Sequence, residues 1–210
     1  MSYIPKEYWL EQGKVYREQF KYNSKFKLQE KMLMDYLKTI SPFSTVLEVG
    51  CGFGRITKLL WYNFTEIKGY VAIDLSPHQI ENAKKYIGKT TTNNRKVKFI
   101  VSDIQSLKLD DKYDLVIAPE VLLHILPSEI KEVISKLVNW SDKHVVNIDW
   151  YEESTPSKVA PHNFIHEYER IYRDLPAVSQ VVRIPIVRKG LLSKLDTKQS
   201  IFHAMVKSKV

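Results

Sequence analysis

VLEVGCGFG, residues 46–54, is a short apolar run that carries an acid, Glu48, and then places glycine at every second position, Gly50, Gly52 and Gly54. Val46, Leu47 and Val49 read as a buried parallel strand, and the glycines let the backbone turn tightly and approach a ligand before a helix opens over 55–63. Spacing narrows the ligand. A dinucleotide fingerprint puts its third glycine one position later, where this chain has Arg55. A second apolar strand, 70–73, closes on Asp74, where a carboxylate can accept both hydroxyls of a ribose. Glycine loop and strand-end acid together point to an adenosine-containing ligand.

The rest of the chain repeats that rhythm. Strands are predicted near 45–50, 69–74, 97–102, 113–118 and 143–149, each apolar through Val, Ile, Leu or Phe, which is the alternation of a parallel sheet. Ser76-Pro77-His78-Gln79 supplies an N-cap, a proline at the first helical position and a glutamine at the third, with Ile80, Ala83 and Ile87 as the buried stripe. A further helix starts near Pro127-Ser128 and buries Ile130, Val133, Ile134, Leu137 and Val138. The first 41 residues read as two helices, with Pro5 in a first turn, Tyr8, Trp9, Tyr16 and Phe20 near helical spacing, and Leu33, Leu37 and Ile40 on the second. After Asp149 the alternation stops: 151–177 holds three prolines, two histidines and a helix-like piece over 166–175, and reads as an insertion. Two β-rich runs, 178–187 and 200–207, separated by Gly190 and a polar stretch, read as an antiparallel pair.

At this point the chain resembles the class I S-adenosylmethionine (SAM) dependent methyltransferases. The resemblance rests on Glu48-Val-Gly-Cys-Gly-Phe-Gly54, Ala72-Ile-Asp74-Leu-Ser76, Val101-Ser-Asp103-Ile, and Tyr113-Asp-Leu-Val-Ile-Ala-Pro-Glu120-Val-Leu-Leu-His124, in that order. It implies an α/β three-layer sandwich: a mostly parallel seven-stranded sheet with a C-terminal antiparallel hairpin, one domain over 1–210, an N-terminal helical lid over 1–41 and a substrate-side insertion over 151–177. It implies SAM as cofactor and S-adenosylhomocysteine as product. Gly50, Cys51, Gly52 and Gly54 would form the loop that presents backbone to the methionine part, with Glu48 steering its ammonium and Glu120 near the amino-acid end. Asp74 would hold the ribose, Leu75 would cover an adenine face, Asp103 would accept the exocyclic amine and the Ile104 amide would meet a ring nitrogen. Tyr16 is the lid candidate, because an N-terminal helix folds over the cofactor in the resembling enzymes.

Composition removes several alternatives. With 210 residues and 44% hydrophobic content the chain can bury one sizeable core. No stretch reaches the ~18 uninterrupted apolar residues of a membrane span, and MSYIPKEYW lacks the apolar centre of a signal peptide, so a cytoplasmic location is expected. The single cysteine, Cys51, excludes an internal disulfide and a multi-cysteine zinc cluster, and no downstream cysteine is present to attack carbon 5 of cytosine. The net charge of +8 gathers in two runs, six basic residues over 84–98 and seven over 183–209, which read as solvated surface or as a landing surface for an anion.

A general base is needed for a hydroxyl acceptor and not for a carboxylate, so the bases near the acceptor end are informative. The candidate catalytic residues are His124 after the fourth strand, Asp149 at the end of the fifth, and His162 and His166 in the insertion; four apart, the last two could share a helical face. No acid completes a metal signature with them, and no metal is expected. Amino methyltransferases acting on adenine or glutamine carry Asn or Asp, two prolines and an aromatic after the fourth strand; Ala118-Pro119-Glu120-Val121 departs from that pattern. The aromatic and polar insertion suits a partly apolar pocket. The expected activity is O-methylation of a small-molecule, sugar or lipid-linked acceptor, with an RNA or protein methyltransferase, or a noncatalytic SAM-binding subunit, as the alternatives.

Overall fold

The computed structural model describes residues 4–88, 90–92, 94–151, 160–187 and 196–207. Two helices, α1 (Pro5–Gln19) and α2 (Ser24–Ile40), precede the alternating segment β1 (Thr45–Val49), α3 (Arg55–Asn63), β2 (Gly69–Asp74), α4 (Pro77–Ile87), β3 (Thr91–Thr92), β4 (Arg95–Val101), β5 (Tyr113–Pro119), α5 (Ile130–Asn139) and β6 (Ser141–Trp150). A short helix, α6 (Tyr168–Arg173), and the strands β7 (Val178–Val187) and β8 (Asp196–Val206) complete it.

The strands form one sheet in the order β3-β4-β2-β1-β5-β6-β8-β7. β1 pairs in parallel with β2 and with β5, β2 with β4, and β5 with β6, while β8 inserts antiparallel between β6 and β7. This is the expected mixed sheet of seven long strands; the two-residue β3, antiparallel at the edge beside β4, is an addition too short to leave a periodic signal. The polar stretch with Gly190 between β7 and β8 lies outside the described residues.

Both sheet faces are covered, which is why β1 is apolar without alternation. Val46 belongs to the core shared with Leu33 of α2, Leu60 of α3 and Ile80 of α4, whereas Leu47 and Val49 belong to the core shared with Ile134 of α5 and Tyr172 of α6. The predicted cap of α4 forms, with Ser76 Oγ accepting from the Gln79 backbone amide at 3.4 Å and Pro77 in the first turn. Arg95, one of the basic residues of the 84–98 run, serves the fold: its guanidinium donates to the carbonyls of Trp61, Phe64 and Ile67 at 2.7–3.0 Å, at and just beyond the C-terminal end of α3. Among the described residues no helix is long and apolar enough to cross a membrane.

A polar chain crosses from α2 to β6. Tyr36 OH meets His203 Nδ1 at 2.7 Å, and His203 Nε2 meets His144 Nδ1 at 3.0 Å. Burial, helped by repulsion from His144, lowers the His203 pKa to about 4, and burial lowers His144 as well. A histidine held below its ordinary 6.5 stays neutral in the fold while the unfolded chain takes up a proton first. Its contribution to stability is therefore complete above about 6.5 and is lost as pH falls to about 4. Buried carboxylates with raised pKa act in the opposite direction, so the histidine effect is isolated by comparison with a variant. The melting temperature of wild type relative to His203→Gln is expected to fall as pH drops from 6.5 to 4 and to stay constant above 7; a pH-independent difference would remove His203 as the responsible group.

Candidate functional site

The chain leaves β1 toward β2 on one side and later crosses to β5 on the other, so the switch in strand order falls beside the carboxyl end of β1. A crevice forms at such a point. Here it is a cavity of about 430 Å³, lined by the 50–53 segment, the ends of β2 and β5, the residues after β4, and one face of α1.

The three glycines of the loop all have left-handed φ, at +66°, +54° and +86°, and their surroundings divide them into two kinds. A Cβ on Gly50 would lie 2.4 Å from Val121 Cγ2, and one on Gly54 would press on Ala83 and Ile87 at 3.1 Å, so these two serve packing. A Cβ on Gly52 would meet no protein atom within 4 Å. Gly52 lines the cavity, and the space beside it is where a ligand's own atoms can lie against backbone. Cys51 is buried, its thiol pushed up by burial and by Asp74 and Glu48, so its contribution is backbone.

Asp74, at the end of β2, fixes the loop. One carboxylate oxygen accepts from the Gly52 amide at 2.8 Å and the other from the Ser76 amide at 2.8 Å. Each oxygen keeps one further acceptor position, so ribose contact is compatible with this arrangement while the backbone takes the first share. Burial raises the Asp74 pKa, against the two amides that lower it. Glu48 is deeper: 1% exposed, it accepts from the hydroxyls of Thr57 and Tyr70, and burial pushes it up to about 7. Leu75, Asp103 and Ile104 line the same end of the cavity. Asp103 accepts from the Gln105 amide at 2.7 Å and pairs with Lys6 of α1 at 3.2 Å.

Gln79 was expected only as part of a helix cap. It is 4% exposed and lines the cavity, and its Oε1 is buried with no hydrogen-bond partner. An unsatisfied buried acceptor in a ligand-sized cavity asks for a ligand donor. The place of Gln79 in the first turn of α4, directly after the strand end at Asp74, was the available signal.

The lid expectation concerns α1. Its residues Pro5, Lys6, Trp9, Gly13 and Tyr16, with Phe20 just after its end, face the cavity at helical spacing. Gly13, a weak helix former, allows the close approach: a Cβ there would fall 2.2 Å from Ser76 Oγ. Tyr16 is largely buried, and burial raises its hydroxyl pKa, with Glu120 adding to the effect.

The acceptor-end candidates divide. His124 and His162 line the cavity, together with Trp9 and Asn163. Asp149 and His166 do not. Asp149 is fully buried, and its oxygens accept from the Leu123 amide at 3.0 Å and from Asn147 Nδ2 at 2.7 Å; Tyr172 OH donates to Asn147 Oδ1 at 2.9 Å. It holds the 3-10 turn Leu122–His124 from inside the sheet. His166 does not share a helical face with His162, because the helix starts at Tyr168. Its Nε2 instead bonds to the Ile125 carbonyl at 3.1 Å, which fastens the insertion to that turn beside Phe164 N→Leu123 O at 2.7 Å. His124 Nδ1 donates to the His162 carbonyl at 2.9 Å, and burial lowers its pKa to about 4. Glu120 lines the cavity, and its carboxylate accepts from Arg55 at 3.3 Å and Gln199 at 2.7 Å. Replacing Asp149 by Ala would leave the Leu123 amide and Asn147 Nδ2 buried without partners, at roughly 1–3 kcal/mol each. A fall in melting temperature of several degrees is expected in calorimetry; an unchanged value would refute the bracing role.

Residues 46–143 match the model of a family described as a methyltransferase domain. Over 92 residues the chain is 35% identical to a malonyl-[acyl-carrier protein] O-methyltransferase of Anoxybacillus flavithermus, covering 43% of this chain and 33% of that protein. Over 94 residues it is 37% identical to a ubiquinone biosynthesis O-methyltransferase of Rickettsia bellii, covering 44% and 35%. The chain thus spans about a third of the length of these curated relatives. Among solved structures it is similar to the N-methyltransferase NodS of Bradyrhizobium japonicum WM9 in complex with S-adenosyl-L-homocysteine, with a TM-score of 0.73, 17% identity and 97% of each chain covered. It is similar also to magnesium protoporphyrin IX methyltransferase of Synechocystis PCC 6803, at a TM-score of 0.71 and 18% identity over 96% of this chain and 98% of that one. Residues 46–143 therefore carry a methyltransferase domain, set in the fold of the class I SAM-dependent methyltransferases.

Proposed function

We propose that the chain transfers a methyl group from SAM to an oxygen of a small-molecule, sugar or lipid-linked acceptor. The observation that carries this reading is the two-ended cavity: open space over Gly52 and the unsatisfied Gln79 Oε1 at one end, aromatic and imidazole rings at the other. The residues present fit the cofactor. Gly50, Cys51 and Gly52 would present backbone to its amino-acid part, Asp74 and Gln79 would take ribose hydroxyls, and Leu75, Asp103 and Ile104 would border the adenine. SAM supplies a methyl already activated on a sulfonium, so what remains for the protein is to position the acceptor oxygen and receive its proton.

α1 covers the cavity and excludes water, with Lys6 holding Asp103 at one end and Trp9 against His124 at the other. Of the two cavity histidines, His162 is the better proton acceptor. His124 commits its Nδ1–H to a carbonyl and is held near 4, whereas His162 is shifted down less severely by its partial burial. The O-methyltransferase relatives support oxygen as the target.

The test is transfer of label from methyl-labelled SAM into host extract separated into small-molecule, lipid, RNA and protein fractions. Label is expected in the small-molecule or lipid fraction; label in RNA or protein would overturn the acceptor class and make the basic runs the docking surface. Gln79→Ala removes a side-chain acceptor that no protein group uses and leaves the backbone amide that Ser76 caps, so the fold is expected to persist. SAM affinity should fall roughly three- to tenfold by calorimetry. Equal affinity would take Gln79 out of the cofactor site.

A further inference from the structure

The aromatic end of the cavity has a composition that selects its ligand. Trp9 lies over His124 with ring centroids 4.3 Å apart, and Tyr8 stacks on His162 at 4.8 Å and 21°. Trp9 reaches this place from α1, whereas His162 and Asn163 come from the insertion, so lid and insertion meet over the same space. Two polar atoms stand out within these apolar walls. Trp9 Nε1 is buried with no hydrogen-bond partner, and Asn163 Oδ1 is buried beside the His124 ring, whose charged form the Asn163 side chain favours, so that a second acceptor position on this carbonyl is open to a ligand. One is a donor only, the other an acceptor only.

Charge is the second discriminator. Among the described residues, the cations that line the cavity are Lys6, Lys25 and Arg55. Lys6 pairs with Asp103 at 3.2 Å, Arg55 with Glu30 at 2.8 Å and Glu120 at 3.3 Å, and Lys25 lies 3.9 Å from Glu120. The two cavity histidines are shifted by burial toward their neutral forms. An acceptor carboxylate entering here would lose water without gaining an uncommitted cation among the described residues. A neutral hydroxylated ring loses much less: its faces meet rings, one oxygen can accept from an indole N–H, and a hydroxyl can donate to an amide carbonyl.

We infer that Trp9 and Asn163 form the acceptor-recognition pair of this domain, and that the acceptor is an uncharged, hydroxyl-bearing ring, bound by the Trp9 indole N–H and the Asn163 carbonyl. This inference rests on the methyl-transfer reading above and narrows its acceptor class. It assigns α1 a second role, since the helix that covers the cofactor through Gly13 and Tyr16 reads the acceptor through Trp9. Acceptor binding is then coupled to lid closure.

The probes are catechol, as a hydroxylated ring, and benzoate, as a ring of similar size carrying a carboxylate. Each is titrated calorimetrically into the full chain saturated with S-adenosylhomocysteine. Catechol is expected to bind and benzoate to bind at least tenfold more weakly. Trp9→Phe keeps a ring and removes the N–H, and Asn163→Ala removes the carbonyl; each should weaken catechol roughly three- to tenfold while S-adenosylhomocysteine affinity stays within twofold. Benzoate binding as tightly as catechol, catechol failing to bind, or both variants binding catechol as wild type does would each overturn the inference. Failure of wild type to bind S-adenosylhomocysteine would instead overturn the methyl-transfer reading, and so the two failures are distinguishable.

Discussion

The carboxylate of Asp74 holds the site together. It joins the glycine loop after β1 to the start of α4 after β2 through two backbone amides, those of Gly52 and Ser76. Without that bridge, a loop with three left-handed glycines has many conformations open to it. With it, the loop is set by the register of β1 on β2, which is fixed by five paired residues. The lid depends on the same point, because α1 seats its Gly13 against Ser76, the residue whose amide donates to the second oxygen. Loop, helix cap and lid are one mechanical unit, organised around a side chain whose burial is made tolerable by the amides it accepts.

Much of this was legible in the sequence. Unbroken apolar runs announced strands buried on both faces, Ser76-Pro77 announced the α4 cap, and the motif order announced the sheet. What spacing does not encode is the direction of a side chain at the end of an element. Asp149 closes an apolar strand, as Asp74 does, yet Asp74 faces the loop and lines the cavity, and Asp149 turns inward to brace a 3-10 turn. His162 and His166 are four apart, but the segment containing them is not helical, and hydrogen bonds to the 122–125 turn send one ring to the cavity and the other to the interior. Trp9 lies near helical spacing with Tyr16 and Phe20, and the face this spacing defines covers a cavity rather than a packed interior. Gln79 shows the converse, a residue whose capping role was visible and whose unsatisfied oxygen was not.

Several buried ionisable groups in and behind the cavity are shifted the same way. Burial raises Glu48 and Asp74 around the loop, raises Asp149 behind the turn, and lowers His124 and His162 beside the lid. Each shift favours the neutral form, which is the signature of a poorly hydrated site. In the proposed transfer the positive charge of the sulfonium ends on the proton released by the acceptor hydroxyl, and the half-buried His162 is the cavity base that can take that proton toward solvent.

Arg55 explains why the loop departs from a dinucleotide fingerprint. At the position where that fingerprint has its third glycine, the guanidinium bonds to Glu30 and Gln29 of α2 and to Glu120 after β5. Glu120 is held at a φ of +58°, a conformation that a glutamate adopts only under constraint, and Gln199 of β8 holds its other oxygen. A glycine at 55 would remove the guanidinium that Glu30 and Glu120 share, leaving Glu30 with Tyr22 and Glu120 with Gln199 and the more distant Lys25. The residue that disqualifies the loop as a dinucleotide site is therefore the one that ties the second helix, the fourth long strand of the chain and the terminal strand to the cofactor loop, and through Glu120 it sets where the acceptor end begins.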